Sequence, residues 1–134
     1  MEGSELGIEA LAKMAVDCGY KVHKAFGPGL MESVYEVILA DCLEQRGLRV
    51  QRQIPVDIEY EGRILREGFR IDLLVNDTLI IELKSVERMA PVHAKQLLTY
   101  LRLTNRSLGL LMNFGAEVFR DGVKRVVNNH QTLS

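Results

Sequence analysis

FRIDLLVNDTLIIELK, Phe69 to Lys84, is the stretch on which the reading of the fold turns. Two apolar, strand-like segments flank Asn76-Asp77-Thr78, a cluster of turn-forming residues. Acids interrupt the segments at Asp72 and Glu82, and Lys84 follows. Side chains alternate between the faces of a strand, so Glu82 and Lys84 share one face with Ile80 while Ile81 and Leu83 take the other. Burying two carboxylates and an ammonium in an apolar hairpin is costly unless they pair or bind a metal. Loop length decides whether they meet, because directly paired hairpin residues point the same way. A two-residue loop, Asn76-Asp77, would set Asp72 against Ile81; a three-residue loop, Asn76 to Thr78, sets it against Glu82. Asn and Asp accept the left-handed conformation that three-residue loops use. The odd-length loop, or a bulge of equal effect, is therefore expected.

A carboxylate pair with a neighbouring lysine is also what metal-assisted phosphodiester hydrolysis uses. Hard oxygens hold Mg²⁺ or Mn²⁺, the metal activates a water and offsets phosphate charge, and an ammonium stands by the attacking water. Asp72, separated by nine residues from Glu82-Leu83-Lys84, resembles the D…(D/E)xK core of the PD-(D/E)xK nuclease superfamily, with Ile71 in place of its proline. Gly29-Leu30-Met31-Glu32-Ser33-Val34-Tyr35 resembles the GxxExxY signature of a family of small bacterial and archaeal proteins within it. Gln96-Leu97-Leu98-Thr99-Tyr100 resembles the QxxxY element of its exonuclease-like branch. The likeness runs from about Val22 to Val127.

This resemblance implies a restriction-endonuclease-like α/β (α+β) domain with an αβββαβ core, a mixed central sheet flanked by helices. It implies action on nucleic acid, DNA in the first place, with Mg²⁺ or Mn²⁺ as cofactor. Carried onto the matching positions, Asp72, Glu82 and the Leu83 carbonyl become metal ligands, and Glu32 completes the acidic cluster. Lys84 positions or activates the water, and Gln96 orients water or phosphate. Taken alone, Glu32 is an acid complementing the dipole of a helix's first turn. Tyr35 and Tyr100 are candidates for substrate contact, and packing with a bonded hydroxyl accounts for each equally well. Some members of the superfamily carry a metal-site histidine on the N-terminal helix, which makes His23 a candidate ligand against the commoner role of a capped core or surface histidine. His93 and His130 have less to recommend them.

The 134 residues, 47% apolar and 26% charged, suit one soluble domain spanning 1–134, with frayed ends at 1–4 and 129–134. No apolar run approaches the ~20 residues of a membrane span. The acidic N-terminus lacks the basic region of a signal peptide. Cys18 and Cys42 lack zinc-ligand spacing and read as reduced, buried thiols, which fits a cytoplasmic setting. The net charge of −1 is low for a protein that grips duplex DNA. Any positive surface must be local: Arg46, Arg49 and Arg52 form one candidate, Lys124 and Arg125 another, and a homodimer would be a further way to assemble a groove.

Helical periodicity marks about Glu5 to Ala25, with Leu11, Met14, Ala15, Cys18, Val22 and Ala25 as the apolar stripe. Phe26-Gly27-Pro28-Gly29 breaks it. A second helix is expected from near Leu30 to Gly47, with Leu30, Val34, Ile38 and Cys42 as its ridge, widened by Val37 and Leu39. Leu48 to Tyr60 alternates as half-buried strand, Pro55 marks an edge or bulge, and Glu61-Gly62 a tight turn. Asp57, Glu59 and Glu61 read as a solvent face. Pro91 suits the start of a third helix reaching about Leu103, with Val92, Leu97, Leu98 and Leu101 facing the core and Gln96 and Tyr100 sharing a face. Leu108 to Phe114 reads as a strand buried on both sides, and Val123 to Val127 as the last strand. Two other classes compete with a nuclease. One is a nucleic-acid-binding accessory protein on a nuclease scaffold, supported by the near-neutral charge. The other is an interaction domain whose acids and lysine form an ion-pair network.

Overall fold

A computed structural model describes residues 6–129; the expected helix start at Glu5, the expectation of fraying at 1–4 and 130–134, and His130 lie outside them. Helix α1 (Ile8–Phe26) and helix α2 (Glu32–Gln45) precede strands β1 (Val50–Tyr60), β2 (Arg63–Val75) and β3 (Leu79–Lys84). Helix α3 (Pro91–Leu103), β4 (Leu108–Asn113), a short 3-10 turn (Phe119–Gly122) and β5 (Val123–Val127) complete the order. The five strands form one mixed sheet in sequence order. β3 and β4 are parallel, with α3 as their crossover, and the other pairs are antiparallel. This is the α+β architecture expected, with Pro55 on the edge strand β1.

The sheet is packed on both faces. Leu73, Val75, Ile81, Leu83, Leu110 and Met112 meet α1 and α2, while Leu74, Ile80 and Leu111 meet Leu97 and Leu101 of α3. All six residues of β4 are buried, as a strand covered on both sides must be. Gly47, at φ 86°, closes α2, and the Leu48 amide returns to the Leu43 carbonyl at 3.3 Å.

The hairpin of β2 and β3 has the odd loop. Val75 pairs with Leu79, leaving Asn76, Asp77 and Thr78 as the turn, with Asn76 at φ 49° and Asp77 at φ 58°. Asn76 is buried, and its Oδ1 accepts the Arg49 amide at 2.8 Å, which anchors the turn to the start of β1. The register then places Asp72 across from Glu82 one step beyond the Leu73–Ile81 pair.

Three apolar assignments change. In α1, Ala25 is exposed and Met14 half-buried; the buried stripe runs instead through Ala12, Gly19 and His23, with the Phe119 ring filling the space where a Gly19 Cβ would stand. In α2, the core face is Tyr35, Glu36, Leu39, Ala40 and Leu43, while Val34 and Val37 are exposed and Ile38 and Cys42 only half-buried. That helix starts at Glu32 rather than Leu30 and is apolar on nearly every side, so periodicity alone could not select the face that Tyr35 anchors. In α3, Val92 is exposed.

Cys18 is fully buried and Cys42 half-buried, both as free thiols. Burial, and a hydrogen bond to Cys42, push the Cys18 thiol up to about 12. No helix among the described residues is long and apolar enough to cross a membrane.

Beyond Lys84 the chain is held by Asn113, a buried side chain with no part in the sequence expectations. Its Oδ1 accepts the amides of Val86 and Gly115, each at 3.0 Å, and its Nδ2 donates to the Val86 carbonyl at 2.9 Å. Gly115 consequently lies against the Val86 backbone, and an added Cβ would stand 2.7 Å from the Val86 nitrogen. Gly115→Ala should therefore lower stability by about 1–3 kcal/mol in a urea titration, through forced displacement of the segment that follows Lys84.

Candidate active site

The alternation of side chains breaks where Asp72 sits. On β2, Phe69 and Ile71 pack on the α3 side, whereas Leu73 and Val75 pack under α1 and α2. The partner strand switches in step: Ile54 and Val56 join the α3 side, while Val50 lies on the other. The pivot on β1 is Gln53, which has φ 51° and lies between the Arg52–Leu73 and Ile54–Ile71 pairs. A left-handed glutamine in a strand is uncommon and turns the chain over locally. Asp72 thereby stands where both helical layers reach the sheet.

At this point carboxylates take over the backbone ladder. The Asp72 amide donates to Glu82 Oε1 at 3.1 Å, and the Leu83 amide to Asp72 Oδ2 at 2.9 Å. Glu82 is 9% exposed, so its charge is poorly hydrated and faces that of Asp72. Desolvation, with the Asp72 charge second, pushes the Glu82 carboxyl up to about 9; Lys84 opposes the shift weakly. A side-chain hydrogen bond to Asp72 adds to the upward shift of the Glu82 carboxyl.

Other elements close around this pair. Glu32, at the start of α2, feels the charges of Lys84, Asp72 and Glu36 and accepts the Ser85 amide. Partial desolvation raises its carboxyl above the usual range, with Asp72 and Glu36 adding and Lys84 and Ser85 opposing. Ser85, for which the sequence suggests no role, also donates its hydroxyl to the Leu30 carbonyl at 2.8 Å, which ties the loop before α2 to the end of β3. From the opposite layer comes Tyr100, stacked on Phe69 with centroids 4.0 Å apart and hydrogen-bonded to Gln96. Desolvation, then the Glu82 and Asp72 charges, raises its phenol. Thus Glu32, Asp72, Glu82, Lys84, Gln96 and Tyr100, although drawn from four elements, come into one electrostatic neighbourhood. Ile80 packs on the α3 side with Leu97 and Leu101, so Glu82 and Lys84 share its face as the strand period requires.

Two candidates lie elsewhere. Tyr35 is wholly buried, stacks on Phe114 with centroids 4.6 Å apart, donates its hydroxyl to the Gly27 carbonyl and accepts the Leu30 amide at 3.1 Å. It clamps the 27–30 loop from inside and is out of reach of a substrate. His23 is buried against Phe119, and its Nε2 lies 2.7 Å from the Ala116 carbonyl. Those contacts make it a fastener between α1 and the loop after β4, not a partner of the acids. His93 accepts the Ala90 amide at the start of α3. Three of the five basic candidates pair with acids: Arg46 with Asp17, Arg52 with Glu36, and Arg125 with Glu9.

Two residues were missed by sequence reasoning. Glu36 follows Glu32 by one helical turn, which was an available signal; it is 5% exposed and bonds Arg52 and Gln53. Gln53 depends on register and a left-handed φ, neither written in local sequence. A cleft of about 500 Å³ lies between Glu32, Glu36, Arg52, Gln53 and Asp72. A cleft of about 560 Å³ beside the start of α3, lined by Arg88, Leu111 and Lys124 among others, contains neither Asp72 nor Glu82.

Among the described residues no three His, Cys, Asp or Glu side chains form a ready-made metal cage. The Asp72–Glu82 pair nonetheless fits a hard divalent cation. Mg²⁺ is commonly held by one or two carboxylates with waters completing its shell, and a cation would relieve the repulsion that keeps Glu82 protonated.

A sequence profile of the PD-(D/E)XK nuclease superfamily matches residues 9–126. A solved structure titled "Crystal structure of SSO0001" superposes with a TM-score of 0.53 at 17% identity, over 75% of this chain and 52% of that one. This chain therefore spans about half the length of that protein, and the likeness is one of fold. No curated protein matches it significantly in sequence.

Glu82 ionises at an ordinary 4.5 when unfolded and near 9 when folded without metal. Between those values the folded state keeps a proton that the unfolded state has released, so stability falls as pH rises through this window, by at most roughly 1.4 kcal/mol per pH unit. Thermal melts of metal-free protein from pH 5 to 9 should show the decline, and Glu82→Gln should flatten it. Tyr35→Phe should cost about 1–3 kcal/mol of stability, through the unsatisfied Leu30 amide and Gly27 carbonyl, while leaving Mn²⁺ affinity unchanged by calorimetry.

Proposed function

The chain belongs to the PD-(D/E)XK nuclease superfamily, and from that premise we propose that it is a metal-dependent phosphodiesterase acting on nucleic acid, DNA in the first place. The observation that carries this reading is the Asp72–Glu82 pair, a half-buried and a buried acid set side by side, with Lys84 on the face of Glu82. A structural ion-pair network would set these acids against a cationic side chain, whereas among the described residues no ion pair is formed by Asp72 or Glu82. Asp72, Glu82 and the Leu83 carbonyl would hold Mg²⁺ or Mn²⁺, with Glu32 extending the acidic group towards α2. The cation, when bound, neutralises phosphate charge and lowers the pKa of the attacking water. Lys84 orients that water and stabilises the charge that develops on the phosphate oxygens. Gln96, hydrogen-bonded to Tyr100, presents an amide to water or phosphate from the α3 side, and Tyr100 stands by as a second polar contact.

The GxxExxY resemblance supports the same reading at a finer level, with Gly29 in the loop that Tyr35 clamps and Glu32 at the helix start. A second reading, an accessory nucleic-acid-binding protein of weak or lost activity, is favoured by the net charge of −1 and by the pairing of Arg46, Arg52 and Arg125 with acids.

The test is cleavage of single-stranded, duplex, flapped and branched DNA and of RNA, with Mg²⁺ or Mn²⁺ and with chelator. Metal-dependent cutting is expected, reduced roughly 100-fold or more by Lys84→Ala and by Asp72→Ala. Metal-dependent binding without cutting would favour the accessory reading; neither would overturn both.

A further inference from the structure

Glu36 is a carboxylate in the buried face of α2, among Tyr35, Leu39, Ala40 and Leu43, where an apolar side chain would pack at no electrostatic cost. Its two oxygens are divided. Oε2 accepts the Arg52 guanidinium from Nη2 at 3.1 Å and Nε at 3.2 Å, which neutralises it. Oε1 accepts the Gln53 Nε2 at 2.6 Å. The same nitrogen also lies 3.2 Å from Asp72 Oδ1. An amide nitrogen carries two hydrogens, so one can serve each carboxylate. Gln53 reaches both from a left-handed backbone, at φ 51°, a conformation that costs a non-glycine residue of order 1 kcal/mol. A buried acid and a strained glutamine are each unfavourable alone. Together they do one thing: they hold Asp72 from the side opposite Leu83.

We propose that Glu36 and Gln53 are positioning residues that fix the Asp72 carboxylate for cation binding, with Glu36 aiming the Gln53 amide and Gln53 bonding Oδ1 so that Asp72 cannot rotate. Arg52 occupies Glu36 Oε2 and so leaves Oε1 to the Gln53 amide. This inference rests on the reading of Asp72 as a metal ligand.

Gln53→Gly separates positioning from structure, because it relieves the left-handed strain while removing the amide. Its thermal midpoint should change little, because relief of the strain offsets the unpaired Glu36 Oε1, while the Kd for Mn²⁺, measured by calorimetry on the full chain, should weaken about 10-fold or more, as loss of a group that orients a ligand does. Glu36→Leu should weaken Mn²⁺ binding comparably, and the double variant should be little worse than either single one, because both act through a single contact. Wild-type Mn²⁺ affinity in Gln53→Gly, with Asp72→Ala abolishing binding, would overturn the positioning role and leave the metal site standing. Absence of Mn²⁺ binding in the parent protein would overturn the metal site and this inference with it.

Discussion

One residue in a hairpin loop decides where the charges of this protein go. Because strand side chains alternate with a period of two, adding Thr78 to the Asn76-Asp77 turn sets Glu82 opposite Asp72 instead of a core-facing isoleucine. Every later feature inherits that choice. Ile81 and Leu83 are free to pack under the two N-terminal helices, Lys84 stays beside Glu82, and Ile80 forms the floor on which α3 rests. The loop is secured from outside as well as within, by Arg49 on Asn76 and by the Arg106–Asp77 ion pair.

The same register forces an electrostatic conflict that the fold does not relieve with an arginine or lysine in direct contact. Glu82 has lost most of its water and gained a like-charged neighbour, whereas the ion pairs among the described residues involve other acids. A protein under selection only for stability would place an apolar pair here, because buried charge is rarely repaid by burial. Perturbation of this kind clusters at functional sites.

Much of this arrangement is legible in the sequence because it follows from short-range rules. The loop length, the face shared by Glu82, Lys84 and Ile80, the Glu61-Gly62 turn and the start of α3 at Pro91 all rest on contiguous residues. What fails depends on partners distant in sequence. Tyr35 matches a signature motif yet serves the 27–30 loop, a fact visible only when Phe114 is seen stacked on it. The core face of α2 is ambiguous because Val34, Val37 and Ile38 are as apolar as the residues that are buried. Gln53 and Asp72 meet only through the pairing of β1 with β2 and the reversal of side-chain direction at the pivot, and no local period announces either.

The two thiols have a practical consequence. Cys18 is sealed between α1 and the rest of the core, and its proton is held so firmly that almost no thiolate exists near neutral pH. An alkylating reagent reacts with thiolate and needs access, so Cys18 is shielded twice over while α1 stays docked. The moment the helix lifts away, both protections vanish together. The rate at which this residue becomes labelled is thus a built-in clock for the detachment of α1, readable by mass spectrometry without any added probe.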